Sequence, residues 1–128
     1  MAIEFVQRPV DEGFLISESN GYQSRDTITL KSGRAYDAGS VLIAELHGDD
    51  EATGLYVLAT KALVLASPEA GLVVLARFKD ATAASQPAAA IVYGAEVKDT
   101  ELVVGAATTV ADVAAGLAIN RIKIVQAL

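Results

Sequence analysis

The chain has 128 residues, a formal net charge of −6, and 52% hydrophobic but only 5% aromatic residues. This length bounds it to one domain with a large surface for its core, and the acidic balance excludes a basic nucleic-acid-binding stripe. The absence of Cys excludes a disulfide framework and thiolate chemistry, no apolar run reaches the roughly 18 residues of a membrane span, and Met1-Ala2-Ile3-Glu4 lacks the basic and apolar regions of a secretory signal.

Residues 1–16 mix Ile3, Phe5, Val6 and Val10 with Arg8, Pro9, Asp11 and Glu12. Pro9 removes a backbone donor and Asp11-Glu12-Gly13 breaks the run, so the segment reads as an N-terminal arm that ends at a short strand, Phe14-Leu15-Ile16. The rest of the chain, 17–128, reads as one β domain. Asn20-Gly21 is a turn dipeptide because both residues tolerate positive φ, and Thr27-Ile28-Thr29-Leu30 alternates as a strand over about 26–31. Asp37-Ala38-Gly39-Ser40 is a second turn, followed by the more continuously apolar strand Val41–Leu46. A polar loop, His47–Gly54, leads to Leu55-Tyr56-Val57-Leu58. The run 61–66 is short and apolar on all sides, and periodicity does not choose between a helical turn and a strand there.

Leu72–Phe78 reads as a buried strand and Lys79–Pro87 as a loop. Strands Ala89–Tyr93 and Glu101–Val104 are expected on either side of Gly94–Thr100, with Asp99-Thr100 as the turn. Val110, Val113, Ala114, Leu117 and Ala118 form one apolar stripe of a helix. Thr109 is its N-cap and Asp112 sits at the positive end. Gly116 costs that helix about 1 kcal/mol against Ala, so it depends on packing. Asn120 stops it, and Arg121–Val125 alternates as a last strand. Much of the apolar content is Ala and Val, which bury little area each, so a lone protomer gains from oligomerisation or docking.

No residue set calls for catalysis or a cofactor. His47 beside Gly48-Asp49-Asp50-Glu51 has no second His or Cys, and the alternate-ligand spacing of a calcium loop is missing, so the stretch reads as a solvated acidic loop. Ser40 and Asp37 lie at a turn without a nucleophile elbow, and neither Gly71 nor Gly105 opens a phosphate-binding loop before a helix. Glu96, Asp99 and Glu101 read as surface charge. Ser24-Arg25-Asp26 has two readings. Arg25 and Asp26 are candidate subunit-interface residues, because the planar guanidinium suits a bidentate pair across a boundary. Alternatively Ser24 and Asp26 bond the local backbone and Arg25 pairs within its own chain.

Several of these pieces, in this order, carry a resemblance. Ser17-Glu18-Ser19-Asn20-Gly21-Tyr22 with Ser24-Arg25-Asp26, then Ala38-Gly39-Ser40-Val41-Leu42, Ala88-Ala89-Ala90-Ile91-Val92, Ala95-Glu96-Val97, Glu101-Leu102-Val103 and the closing helix and strand around Arg121 resemble the head decoration protein family of tailed bacteriophages. The likeness covers about residues 13–125. It departs from the family pattern at Leu42-Ile43, where Leu-Gly is frequent, and at Tyr93-Gly94, where Arg-Asp is frequent.

The resemblance implies a mainly β fold with a short C-terminal helix, a β-clip-like compact domain with an extended N-terminal arm. It implies a non-enzymatic cementing protein, without cofactor, nucleic-acid or membrane partner, that binds as a homotrimer to the phage major capsid protein. The site would be the threefold positions outside the expanded head, reached from the host cytoplasm during assembly. The capsid-binding residues it implies are Ile3, Glu4, Phe5 and Val6 of the arm. The alternatives are another virion β module, associated with tail or fibre, and a small trimeric β enzyme.

Overall fold

The computed structural model describes residues 12–18, 24–46 and 52–126. The turn expected at Asn20-Gly21 and most of the acidic loop after His47 lie outside the described residues. In chain order the elements are β1 (Leu15–Glu18), β2 (Arg25–Leu30), β3 (Ala35–Tyr36), β4 (Val41–Leu46), β5 (Ala52–Leu58), α1 (Lys61–Ala66), β6 (Val73–Leu75), β7 (Lys79–Asp80), β8 (Gln86–Ile91) and β9 (Ala95–Lys98). A 3-10 turn (Asp99–Glu101), α2 (Val110–Ile119) and β10 (Ile122–Val125) complete the chain. The protein is mainly β with a short C-terminal helix, as expected.

Strands β2, β5, β4, β6 and β8 close into a barrel. Its longest ladder pairs β2 with β8, from Arg25 opposite Ile91 to Leu30 opposite Gln86. Ile28, Leu30, Leu42, Val73, Leu75 and Ala90 form one buried cluster, with Tyr56 and Leu58 of β5 packed on it. All five barrel strands contribute, so side chains fill the barrel interior. The alternate residues of β4, β6 and β8 point the other way: Val41, Ile43, Val74 and Ile91 join a second cluster with Phe14, Val97, Val113, Leu117 and Ile122. These strands are thus buried on both faces, the physical reason that Val41–Leu46 is continuously apolar.

The second cluster is covered by a three-stranded sheet in the order β1-β9-β10 and by α2. Pairing β9 in parallel with β10, from Ala95 opposite Ile122 to Lys98 opposite Val125, requires a crossover, and α2 provides it. Thr109 caps α2, its own N–H donating to Asp112 Oδ2 at 2.8 Å. The glycine inside the helix has a packing reason: a Cβ on Gly116 would stand 2.6 Å from Cδ1 and Cγ of Leu72. Leu72 N–H in turn donates to the Gly116 carbonyl at 3.1 Å.

Three expectations need correction. Residues 101–104 are not a strand. Asp99–Glu101 is a 3-10 turn, and Val103 pairs only as an isolated bridge with Ser40, where Val41 N–H donates to Val103 O at 2.8 Å. Gly39 permits this approach, because at φ +87° it has no Cβ, which would lie 2.4 Å from the Glu101 carbonyl oxygen. The supposed connection 94–100 contains β9 instead, with Ala95 and Val97 buried and Glu96 and Lys98 turned outward. That is period-2 alternation hidden by its charges. Within the expected loop 79–87, β7 pairs with β3 and β8 has already begun at Gln86. The run 61–66, open in the sequence, is helical.

Candidate functional site: the root of the N-terminal arm

The described chain begins at Glu12, which sits at φ 59°, a left-handed conformation unusual for a side-chain-bearing residue. Its backbone is held on both sides: Glu12 N–H donates to Ala76 O at 2.9 Å and Leu15 N–H donates to Glu12 O at 3.0 Å. Two residues on, Phe14 is buried in the core under the β1-β9-β10 sheet, and Lys98 N–H donates to its carbonyl at 2.8 Å. The described chain therefore starts at a fixed point on the body.

Charge fixes the same point. Arg25, the first residue of β2, places Nε 3.0 and 3.1 Å from the two Glu18 oxygens and Nη2 2.7 Å from Glu18 Oε1. The same Nη2 also donates to Glu12 Oε1. Arg77 Nε reaches Glu12 Oε2 at 3.3 Å, and buried Ser24 donates its hydroxyl to Glu18 Oε2 at 2.5 Å. Two carboxylates and two guanidiniums thus tie together the arm root, β1, β2 and the turn after β6.

The hydrogen bonds from Arg25 hold both the Glu12 and Glu18 carboxyls below the usual glutamate value, outweighing the opposing effect of desolvation. The Arg25 pKa is raised in turn, first by Glu18 and then by Glu12. Because the folded carboxyl values are depressed, the clamp's contribution is complete above the ordinary glutamate value and is lost as pH falls through the folded values.

Of the sequence-predicted residues, Arg25 is engaged inside its own chain by Glu18 and Glu12. Asp26 is exposed and accepts a hydrogen bond from Thr27 N–H at 2.8 Å. Ser24 donates its hydroxyl to Glu18. Ile3, Glu4, Phe5 and Val6 lie outside the described residues. Sequence reasoning missed Glu12 and Arg77 as clamp members. Glu12 read as a chain breaker, and its partner Arg77 stands 65 positions away, a separation that no local pattern reveals. Glu18 and Ser24 were already in the quoted motif, and their role was readable only as proximity to Arg25.

Among the described residues no cluster of His, Cys, Asp or Glu could hold a metal ion, and no helix is long and apolar enough to cross a membrane. What the site does chemically is hold: salt bridges and backbone bonds anchor the beginning of a terminal segment on a side-chain-filled barrel. The family model for the bacteriophage lambda head decoration protein D matches residues 5–122, and the chain belongs to that family. Its role is accordingly phage capsid decoration, in association with the virion, and such a structural family points to a non-enzymatic role. Comparison with curated proteins and with solved structures gives no match.

Proposed function

We propose that the protein cements the phage head. It binds as a homotrimer at threefold positions on the outside of the expanded shell, contacts the major capsid protein through its N-terminal arms, and stabilises the shell against internal DNA pressure. The arm is the part of residues 1–16 that precedes the clamp at Glu12, because Phe14 is buried in the core and Leu15–Glu18 pairs in the sheet, and the rest of the chain is the decoration domain, a β-clip-like body. The observation that carries this reading is the family match over residues 5–122. The clamp at Glu12 supports it, because a tether transmits load only if its origin is fixed. Mass action supplies the mechanism: a ligand that binds the expanded lattice and not its precursor stabilises the former.

One arm is not enough. Burying Ile3, Phe5 and Val6 gains roughly 1.5–3 kcal/mol each, while ordering half a dozen residues costs roughly 1–2 kcal/mol each. These nearly cancel, so tight binding comes from three arms on one trimer, whose second and third docking events are effectively intramolecular. Between subunits, the exposed Asp26 is the member of the Arg25–Asp26 pair available to a neighbour, since Arg25 is occupied at home.

The arm supplies an added strand to a capsid sheet. Phe5→Asp then places a charge at a buried apolar position, and in co-sedimentation with expanded heads it binds far more weakly than the native chain, with melting of the free protein unchanged. Equal sedimentation of the two proteins would remove the arm from the mechanism.

A further inference from the structure

The sheet β1-β9-β10 ends at β10, which pairs with β9 and with no other strand among the described residues. In a parallel ladder alternate residues face the neighbouring strand, and Ala95 N–H donates to Arg121 O at 3.3 Å, so residues 121, 123 and 125 turn their main chain to β9. The N–H and C=O groups of Ile122 and Ile124 therefore point to the outer edge. Both sides of that edge are shaped. Toward α2, Ala114, Ala118, Ile122 and Ile124 line a shallow trough of about 330 Å³. On the other side Arg121 and Lys123 border a polar hollow with Ser17, Glu18 and Glu96. The carboxylates there are already engaged, Glu18 by Arg25 and Ser24, and Glu96 by the Ser17 hydroxyl at 2.9 Å. Arg121 and Lys123 have no carboxylate partner among the described residues, in a chain whose net charge is −6. Lysine on an edge strand also serves to block unwanted strand pairing. Blocking does not explain Arg121, which sits at φ 56°, a conformation that favours glycine, and keeps its guanidinium there despite the backbone strain.

We propose that the β10 edge is a second docking site for the shell, taking an extended segment of the capsid protein in which apolar and acidic side chains alternate. The inference rests on the reading that the protein binds phage heads, and it adds to the arm a contact made by the body. The incoming strand pairs with the main-chain groups of Ile122 and Ile124. Its alternate side chains then fall on opposite faces, the apolar set in the trough beside α2 and the carboxylates on Arg121 and Lys123. A second copy of this chain does not suit the edge, because two β10 strands joined antiparallel about a twofold axis bring the cations Arg121 and Lys123 of both copies side by side, where they repel.

The test is amide exchange of the full-length protein bound to expanded heads, read by NMR after quenching and release. The Ile124 N–H should exchange readily in the free protein and slow by about a hundredfold or more on heads, while the Lys123 N–H, turned to β9, is protected in both. Arg121→Gly relieves the left-handed residue and should leave melting unchanged, yet weaken co-sedimentation with heads by about tenfold or more, the scale of one lost charge-assisted hydrogen bond. Lys123→Glu should weaken it likewise. Heads that bind both variants as well as the native chain, or that leave Ile124 exchange unchanged, would overturn the edge and leave the cementing reading standing. Native protein that fails to sediment with heads would overturn both. Ile124 already protected in the free protein would also remove the proposal, by assigning the edge to the protein's own chain or to a second copy.

Discussion

The two helices of this protein are held by different means. In α2, Val113, Gly116 and Leu117 are buried, and the helix closes the core beneath the β1-β9-β10 sheet. In α1 no residue is buried, with Leu65 69% and Leu63 40% exposed. Its ends hold it: Thr60 Oγ1 accepts from Leu63 N–H at 3.2 Å and Lys61 N–H donates to Thr108 Oγ1 at 2.8 Å at the start, and Ser67 N–H donates to Leu63 O at 3.1 Å at the end. Of its residues, Val64 packs partly buried against the core. A six-residue helix is marginal by itself, so caps and one inward side chain decide whether this one forms. Apolar content alone therefore does not identify a core element. The face it presents does.

The largest effect should come from the buried helix. Leu117→Ala removes a fully buried side chain and is expected to cost about 2–5 kcal/mol, read as a lower denaturation midpoint with an unchanged denaturant slope. A loss below about 1 kcal/mol would mean that α2 collapses into the space and does not hold its position over the core.

A smaller effect separates the helix starts. The Asp112 carboxyl is held below its usual value, first by the Thr109 N–H that it accepts. A depressed folded value contributes stability above the ordinary aspartate range and loses it as pH falls through the folded value. Acidification should thus release the Thr109 amide to exchange, while Leu63, capped by the neutral Thr60 hydroxyl, keeps its protection. Asp112→Asn should remove the pH dependence at Thr109. Parallel loss of protection at both helices would mean that acid acts globally, through the Glu12–Arg25–Glu18 clamp.

The smallest effect is expected at the exposed helix. Leu65→Ser should change the stability of the isolated protomer by less than about 0.5 kcal/mol. A loss larger than about 1 kcal/mol that depends on protein concentration would show that α1 is covered in an assembly, and would turn the contrast between the helices into one between a core and an interface.

Much of α2 was legible before the fold. Its stripe Val110, Val113, Leu117, the Thr109 cap and the stop at Asn120 all follow from i, i+3, i+4 spacing and local hydrogen bonding, and the structure places them there. The strands at 26–31 and 41–46 were legible for the same reason, since alternation and continuous apolarity report one or two buried faces. The strand at 95–98 was not, because Glu96 and Lys98 disguise a two-residue period of only four positions. Residues 101–104 failed oppositely: they have a strand's composition, but a partner backbone only at Ser40. The clamp at Glu12 was not legible either, since Glu12 and Arg77 meet only after the barrel closes.

By itself the sequence determined the mainly β class, the capped helix near the C-terminus, the absence of a cysteine framework and the family resemblance, each a property of residue type and short-range spacing. The tertiary structure alone decided that β2, β5, β4, β6 and β8 close into a barrel, that β9 and β10 run parallel, and that 61–66 is a helix with its leucines outward. It alone brought Arg25 between Glu12 and Glu18. The physical reason is the same in each case: pairing partners and charge partners are chosen among residues far apart in the chain, by which faces remain unburied once the local elements have formed.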